Sequence, residues 1–361
     1  MLNVLVPLTE LITYILFSIL IGHVALQFVS PEKKPSIYIS RRFLLSCVLG
    51  IILFTFGPLL QVVAYFGGSV GVAQTLFSVL FTFEIGKAWI AIVWCSILLW
   101  LAIYLESSKY IQAVLLFLMV LSIGYASHVA SLSFWTGFTS HTVHFLAVTL
   151  WAGILIQVSW FSKDSTNWDR FLRWFTPFAV SCMIVILISG VIVMLFVIDF
   201  KDYVNAWVLP YGQMLLFKHI SIIPLLVFAF INGILVRRMR KTPTFDPRLW
   251  VKAESICLVI IFFFTGVLGT LSPPHDIDQT VKSEGAVNWV TNLLGSSIKI
   301  PVNLEIIGSS QGIVSFIFGV LFLIMIVLSF YKKKTPVLAV FLVISFIIST
   351  YLGLMTSVAL E

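Results

Sequence analysis

Charge is scarce in this sequence. Asp, Glu, Lys and Arg make up 10% of its 361 residues, where a water-soluble domain carries about 25%. A soluble fold is excluded, because a 60% hydrophobic composition brings more apolar surface than a water-facing core can absorb. Cysteine is scarcer still. Cys47, Cys95, Cys182 and Cys257 fall singly inside apolar runs and never approach a CxxC spacing, so they read as packing residues, not as a disulfide framework or a dithiol redox pair. The chain also lacks a glycine-rich phosphate loop and the Cys-Pro-Cys signature of metal-pumping ATPases, so ATP-driven pumping is not expected. No loop is long enough for a folded soluble domain, and enzymatic chemistry is not expected either.

What is present is one long apolar run after another. A helix needs about 20 apolar residues to cross a bilayer. Cutting at charged or Pro/Gly-rich breaks predicts spans near 5–28, 43–66, 86–105, 110–132, 140–162, 173–199, 213–236, 251–272, 309–331 and 335–357. The expected fold is an all-α polytopic transmembrane helix bundle of about ten helices, with membrane lipid as its solvent. The first span has no basic leader, carries Glu10 and ends in no small-residue cleavage pattern, so it reads as retained.

Basic residues in short loops stay cytoplasmic, and their distribution here is lopsided. One set of alternate loops holds Lys33, Lys34, Arg41, Arg42, Lys109, Lys163, Arg170, Arg173, Arg237, Arg238, Arg240, Lys241, Arg248, Lys252, Lys332, Lys333 and Lys334. The other set holds only Lys87, Lys201, Lys218, Lys282 and Lys299. Both termini are therefore expected outside. The net charge of +7 belongs to the cytoplasmic rim facing anionic headgroups, and no nucleic-acid partner is implied.

Ionisable side chains at membrane depth are functional candidates, which singles out the histidines. On the derived topology His128 closes the fourth span, His141 and His144 open the fifth, His219 lies early in the seventh and His275 follows the eighth. These five lie toward the outer leaflet and His23 alone toward the cytoplasm. His141 and His144 are i, i+3 on one helix face, with Trp151 seven residues further on. Neutral imidazole is a common ligand for copper and zinc. Two thioethers, Met194 and Met214, fall in the same outer third, and soft sulfur favours Cu(I). The competing readings are headgroup-level hydrogen bonding for the histidines and helix packing for the methionines. Lys218, Asn232 and Glu254 are polar groups on spans seven and eight that suit interhelical hydrogen bonds. Glu254 lies near the cytoplasmic end, where water can solvate it.

The segments TFEIGKAW (82–89), GYASHVA (124–130), HTVHFLAVTLWAG (141–153), YGQMLLFKHISIIPLLVFAFINGILVRR (211–238) and AESICLVIIFFFTGVLGTLSPP (253–274) resemble the copper resistance protein D family of bacterial membrane proteins. The resemblance covers roughly residues 80–275 and is most specific in the HxxH…W-x-G stretch. It implies a multi-pass protein of the bacterial cytoplasmic (inner) membrane that handles copper ion, Cu(I) or Cu(II). His128, His141 and His144 are the positions carried over, with Trp151 and Gly153 as packing elements. His219 follows Lys218 where such proteins usually have an apolar residue.

The family's common form has eight helices. It implies a copper-handling core at 1–275, an outer loop at 276–308 and an additional C-terminal helix pair at 309–361. No copper-binding β-domain is fused to the chain, which points to a separate extracytoplasmic copper-binding protein as donor. The function expected is copper uptake through an outer site formed from His128, His141, His144, His219, His275, Met194 and Met214. The alternative is a bis-His haem protein that moves electrons. Haem needs two ligands facing one another across a macrocycle, whereas an HxxH pair presents both imidazoles to one small ion.

Overall fold

The computed structural model describes residues 2–236, 246–295, 298–332 and 335–360. Arg237, Arg238, Arg240, Lys241, Lys333 and Lys334, which carry part of the charge asymmetry, lie outside the described residues. Among the described residues nine helices are long and apolar enough to cross a membrane, so the chain is an all-α, polytopic helix bundle. It divides into two compact units, Met1–Phe196 and Val197–Glu361. The expected outer loop and the C-terminal helix pair both fall inside the second.

Unit 1 is built from α1 (Leu2–Gln27), α2 (Arg41–Phe54), α3 (Gly57–Val70), α4 (Val72–Phe81), α5 (Glu84–Tyr104), α6 (Lys109–Tyr125), α7 (His128–Leu132), α8 (Phe134–Trp160) and α9 (Trp168–Leu195). Two predicted spans differ in detail. The span at 43–66 is two helices, because Pro58 at the start of α3 has no N–H to continue the ladder of α2. The span at 110–132 breaks after Tyr125. Ser127 caps a new helix by accepting from the Ala130 N–H at 3.3 Å, so His128 opens α7 and does not close a span. Between the second and third predicted spans lies α4, whose 10 residues are too few to register as a crossing.

The centre of unit 1 is the contact of α1 with α8. A Cβ added to Gly22 would sit 2.3 Å from the Gly153 carbonyl carbon, and one added to Gly153 would sit 2.2 Å from Ser18 O. Only glycine at both positions allows the two backbones to approach this closely, the small-residue packing typical of membrane helices. One turn along, the buried Gln157 side chain donates to Ile19 O at 2.8 Å. Trp151 and Gly153 are thus packing elements, Trp151 being buried.

One end of unit 1 gathers three of the loops expected on a common side. The Tyr38 N–H donates to Phe161 O at 2.9 Å and the Lys163 N–H to Ser36 O at 2.9 Å. Arg41 pairs with Glu106, and Trp174 Nε1–H donates to Lys33 O at 2.8 Å. Two ammonium groups close the C-terminus of α1, Lys34 on Leu26 O and Lys109 on Gln27 O at 3.2 Å, where the helix dipole favours cations.

Unit 2 holds α10 (Pro210–Phe230), which runs into a π-turn at Ile231–Leu235, then α11 (Arg248–Leu268), α12 (Ile277–Glu284), α13 (Asn288–Leu294), β1 (Leu304–Ile306), α14 (Ser310–Tyr331), α15 (Pro336–Met355) and β2 (Val358–Leu360). The expected outer loop is folded. β1 pairs antiparallel with β2, Leu304 opposite Leu360 and Ile306 opposite Val358. The Val287 N–H donates to Val208 O at 2.9 Å, and Asn205 Oδ1 accepts from the Leu304 N–H at 2.8 Å. The last helix is joined to α10 by polar bonds: Tyr351 O–H donates to Gln213 Oε1 at 2.6 Å, and the Gln213 amide reaches Met355 Sδ at 3.7 Å.

Candidate functional site

α8 begins at Phe134, six residues before the predicted start, so His141 and His144 sit two to three turns inside the helix and not at its mouth. Both are half-buried. His144 reaches across to α9. Its Nδ1 lies 3.1 Å from Ile186 O and 3.0 Å from Ser189 Oγ. A carbonyl oxygen can only accept, and the Ser189 hydroxyl proton is committed to Val185 O at 2.5 Å. The proton of this contact is therefore on Nδ1, which in a neutral imidazole leaves the lone pair on Nε2. The ring rests over Gly190, where an added Cβ would come 3.1 Å from His144 Cε1. An imidazole with Nδ1–H held by a carbonyl and Nε2 basic is the arrangement that orients metal-ligating histidines.

The same contact fixes the level of Met194. α8 and α9 run antiparallel, with His144 opposite Ile186 and Ser189. Moving from that point toward the start of α8 reaches His141 after three residues, and toward the end of α9 reaches Met194 after five. At about 1.5 Å per residue these lie roughly 5 and 8 Å along the helices in the same direction. Met194 is half-buried, so two imidazoles and a thioether share one end of the α8–α9 pair.

His128 does not complete them. It is exposed at the start of the separate helix α7, and among the described residues no three His, Cys, Asp or Glu side chains form a group able to hold a metal ion. His275 is also exposed, at the turn after Pro273 and Pro274, where its N–H bonds to Pro273 O at 3.1 Å.

Unit 2 orients a histidine of its own. His219 Nδ1 lies 2.7 Å from Tyr203 Oη, and the two rings lie 5.6 Å apart. Burial pushes the Tyr203 hydroxyl up to about 12, so the phenol keeps its proton at neutral pH and can donate or accept as the imidazole tautomer requires. Met214 is half-buried on the same helix, 5 residues before His219.

Residues 169–268 match the family described as Copper resistance protein D. Over that segment the chain is similar to this family. The nine apolar helices make the chain a multi-pass membrane protein, and its likeness to a copper-related family lies in this segment. No curated protein and no solved structure matches the chain significantly. The matched stretch begins after the HxxH helix, yet Ile186, Ser189 and Met194 lie inside it, so the family segment supplies the groups that hold His144. It also contains Met214 and His219.

Reasoning from the sequence missed Ser189, Gly190 and Tyr203. The Ser-Gly pair inside the apolar run ILISGVIV was the available signal, because a polar and a small residue together inside a lipid-crossing helix mark a close contact.

Proposed function

We propose that this protein carries copper ion inward across the bacterial cytoplasmic membrane, without ATP, and that His141 and His144 with Met194 form its capture group. The observation that carries the proposal is the His144 contact: Nδ1–H held by Ile186 O and Ser189 Oγ supports Nε2 as the metal-binding nitrogen. A thioether beside two imidazoles suits Cu(I) better than Zn(II). His219 and Met214 offer a second oriented imidazole and thioether within unit 2, with His128 and His275 as exposed imidazoles outside both groups.

The ion is cargo and no bond of a substrate is made or broken. Exchange from one imidazole or thioether to the next avoids a bare charge in a low-dielectric interior. An importer concentrates its ion on the side where it is scarce, which matches histidines placed at the outer leaflet by the charge asymmetry. A separate extracytoplasmic copper-binding protein is the expected donor. Purified protein in detergent tests the capture group: His141→Ala and His144→Ala should each weaken Cu(I) binding about as much as the double variant. A sharp Soret band in the same preparation would replace copper with haem.

A further inference from the structure

Near the start of α11 the side chain of Glu254 is 2% exposed. It is therefore not solvated at the membrane edge, as its sequence position suggested. Its hydrogen-bond partner is Asn232, whose Nδ2 donates to Glu254 Oε2 at 2.8 Å and to Trp250 O at 3.1 Å. Asn232 is itself 5% exposed and stands in the π-turn Ile231–Leu235, a local register shift often found at functional positions. Its Oδ1 is buried with no hydrogen-bond partner among the described residues. Aromatic rings wall this place, with Trp250 packed on Phe228 and Phe330.

No described cation lies within ion-pair distance of this carboxyl. On α11 itself Arg248 is bound to Asp246 at 2.8 Å, Lys252 lies half-buried on the opposite side of the helix, and Cys257 is buried one turn along. From α10, Tyr211, Lys218 and His219 stand thirteen or more residues before Asn232, about 20 Å or more along the axis. From α15, Tyr351 lies near the far end, four residues from the helix C-terminus. From α14, Tyr331 and Lys332 are exposed. Residues 237–245 lie outside the described residues.

We infer that Glu254 is a proton-binding site, that its carboxyl holds a proton in this conformation, and that the proton is released and regained in each cycle of copper movement. Among the described residues an ionised carboxylate here would be a buried charge with one neutral donor, which protonation relieves. On release, the carboxyl O–H bond breaks, a water takes the proton, and the carboxylate keeps the Asn232 Nδ2 bond. The vacant Asn232 Oδ1 is the acceptor beside the carboxyl for that water or for the acid O–H. This inference rests on the proposal of copper transport and adds its coupling ion.

The test uses the purified full chain in liposomes with a trapped copper indicator and a trapped pH dye, comparing wild type with Glu254→Gln. Glutamine keeps the shape and the bond from Asn232 but cannot release a proton. Proton movement of either direction that accompanies copper in wild type and is lost in Glu254→Gln is the expected result. Copper movement with no proton movement in wild type overturns the inference and leaves the transport proposal standing. No copper movement in wild type removes both. Infrared spectroscopy reads the carboxyl independently: a protonated-acid C=O band at neutral pH should be missing from Glu254→Gln, and an unchanged band overturns the inference. Asn232→Ala removes the donor that favours the ionised form, so it should shift the pH profile of copper movement upward. An unshifted profile counts against the inference.

Discussion

His144 on α8 and Ser189 on α9 meet at 3.0 Å, imidazole Nδ1 to hydroxyl Oγ, with Gly190 beneath the ring. This contact decides which nitrogen of the histidine is basic and which way the ring faces. Its loss should therefore show in metal affinity before it shows in folding. Ser189→Ala leaves Ile186 O as the remaining acceptor and should weaken Cu(I) binding about 10-fold, the low end for a group that orients a metal ligand. Competition titration against a Cu(I) chelator checks it.

Gly190→Val places side-chain carbons where His144 Cε1 now lies 3.1 Å from an ideal Cβ. The imidazole has to turn away. The loss of Cu(I) affinity should match that of His144→Ala within a few-fold, with the melting temperature little changed because α9 faces lipid there, Ile188, Val191 and Ile192 being exposed.

The α1–α8 crossing makes a different prediction. Gly153→Ala puts a methyl group 2.2 Å from Ser18 O, where backbone opposes backbone and no rotamer relieves it. Overpacking of this kind costs about 1–3 kcal/mol. The variant should unfold at a lower temperature in detergent while its Cu(I) affinity, once folded, stays near that of wild type. Unchanged thermal stability would mean that the helices do not cross at these glycines.

Much of this architecture was legible in the sequence because the bilayer imposes a coarse rule. Runs of about 20 apolar residues mark crossings, and Trp151 and Gly153 stood out as packing residues. Short-range events escaped it. The Ser127 cap that restarts the helix at His128 and the two-part span at Pro58 are decided by one residue each inside otherwise continuous apolar stretches. α4 is too short to differ in pattern from a loop between spans. The candidate site was half legible: the HxxH spacing gave the two imidazoles and Met194 the thioether. The hydroxyl and carbonyl on α9 that orient His144 depend on which helices pack together, and hydropathy carries no information on that.

The shared end formed by the loops around Ser36, Glu106 and Lys163 gives the topology a direct check. All four native cysteines are buried or half-buried, so background labelling should be low. A cysteine placed by Ser165→Cys should resist an impermeant thiol reagent added to intact cells and react after the membrane is opened. Ready labelling in intact cells would reverse the orientation and place the α8–α9 histidines on the other side.

Inward movement of copper is tested most directly by uptake of radioactive copper at limiting external concentration, in cells lacking this protein and in the same cells restored with wild type or with His141→Ala, His144→Ala. Wild type should raise the initial uptake rate and the double variant, present in the membrane at equal amount, should not. Faster copper accumulation in the cells lacking the protein would contradict inward transport and make it an exporter. Equal restoration by wild type and the double variant would remove His141 and His144 from the path.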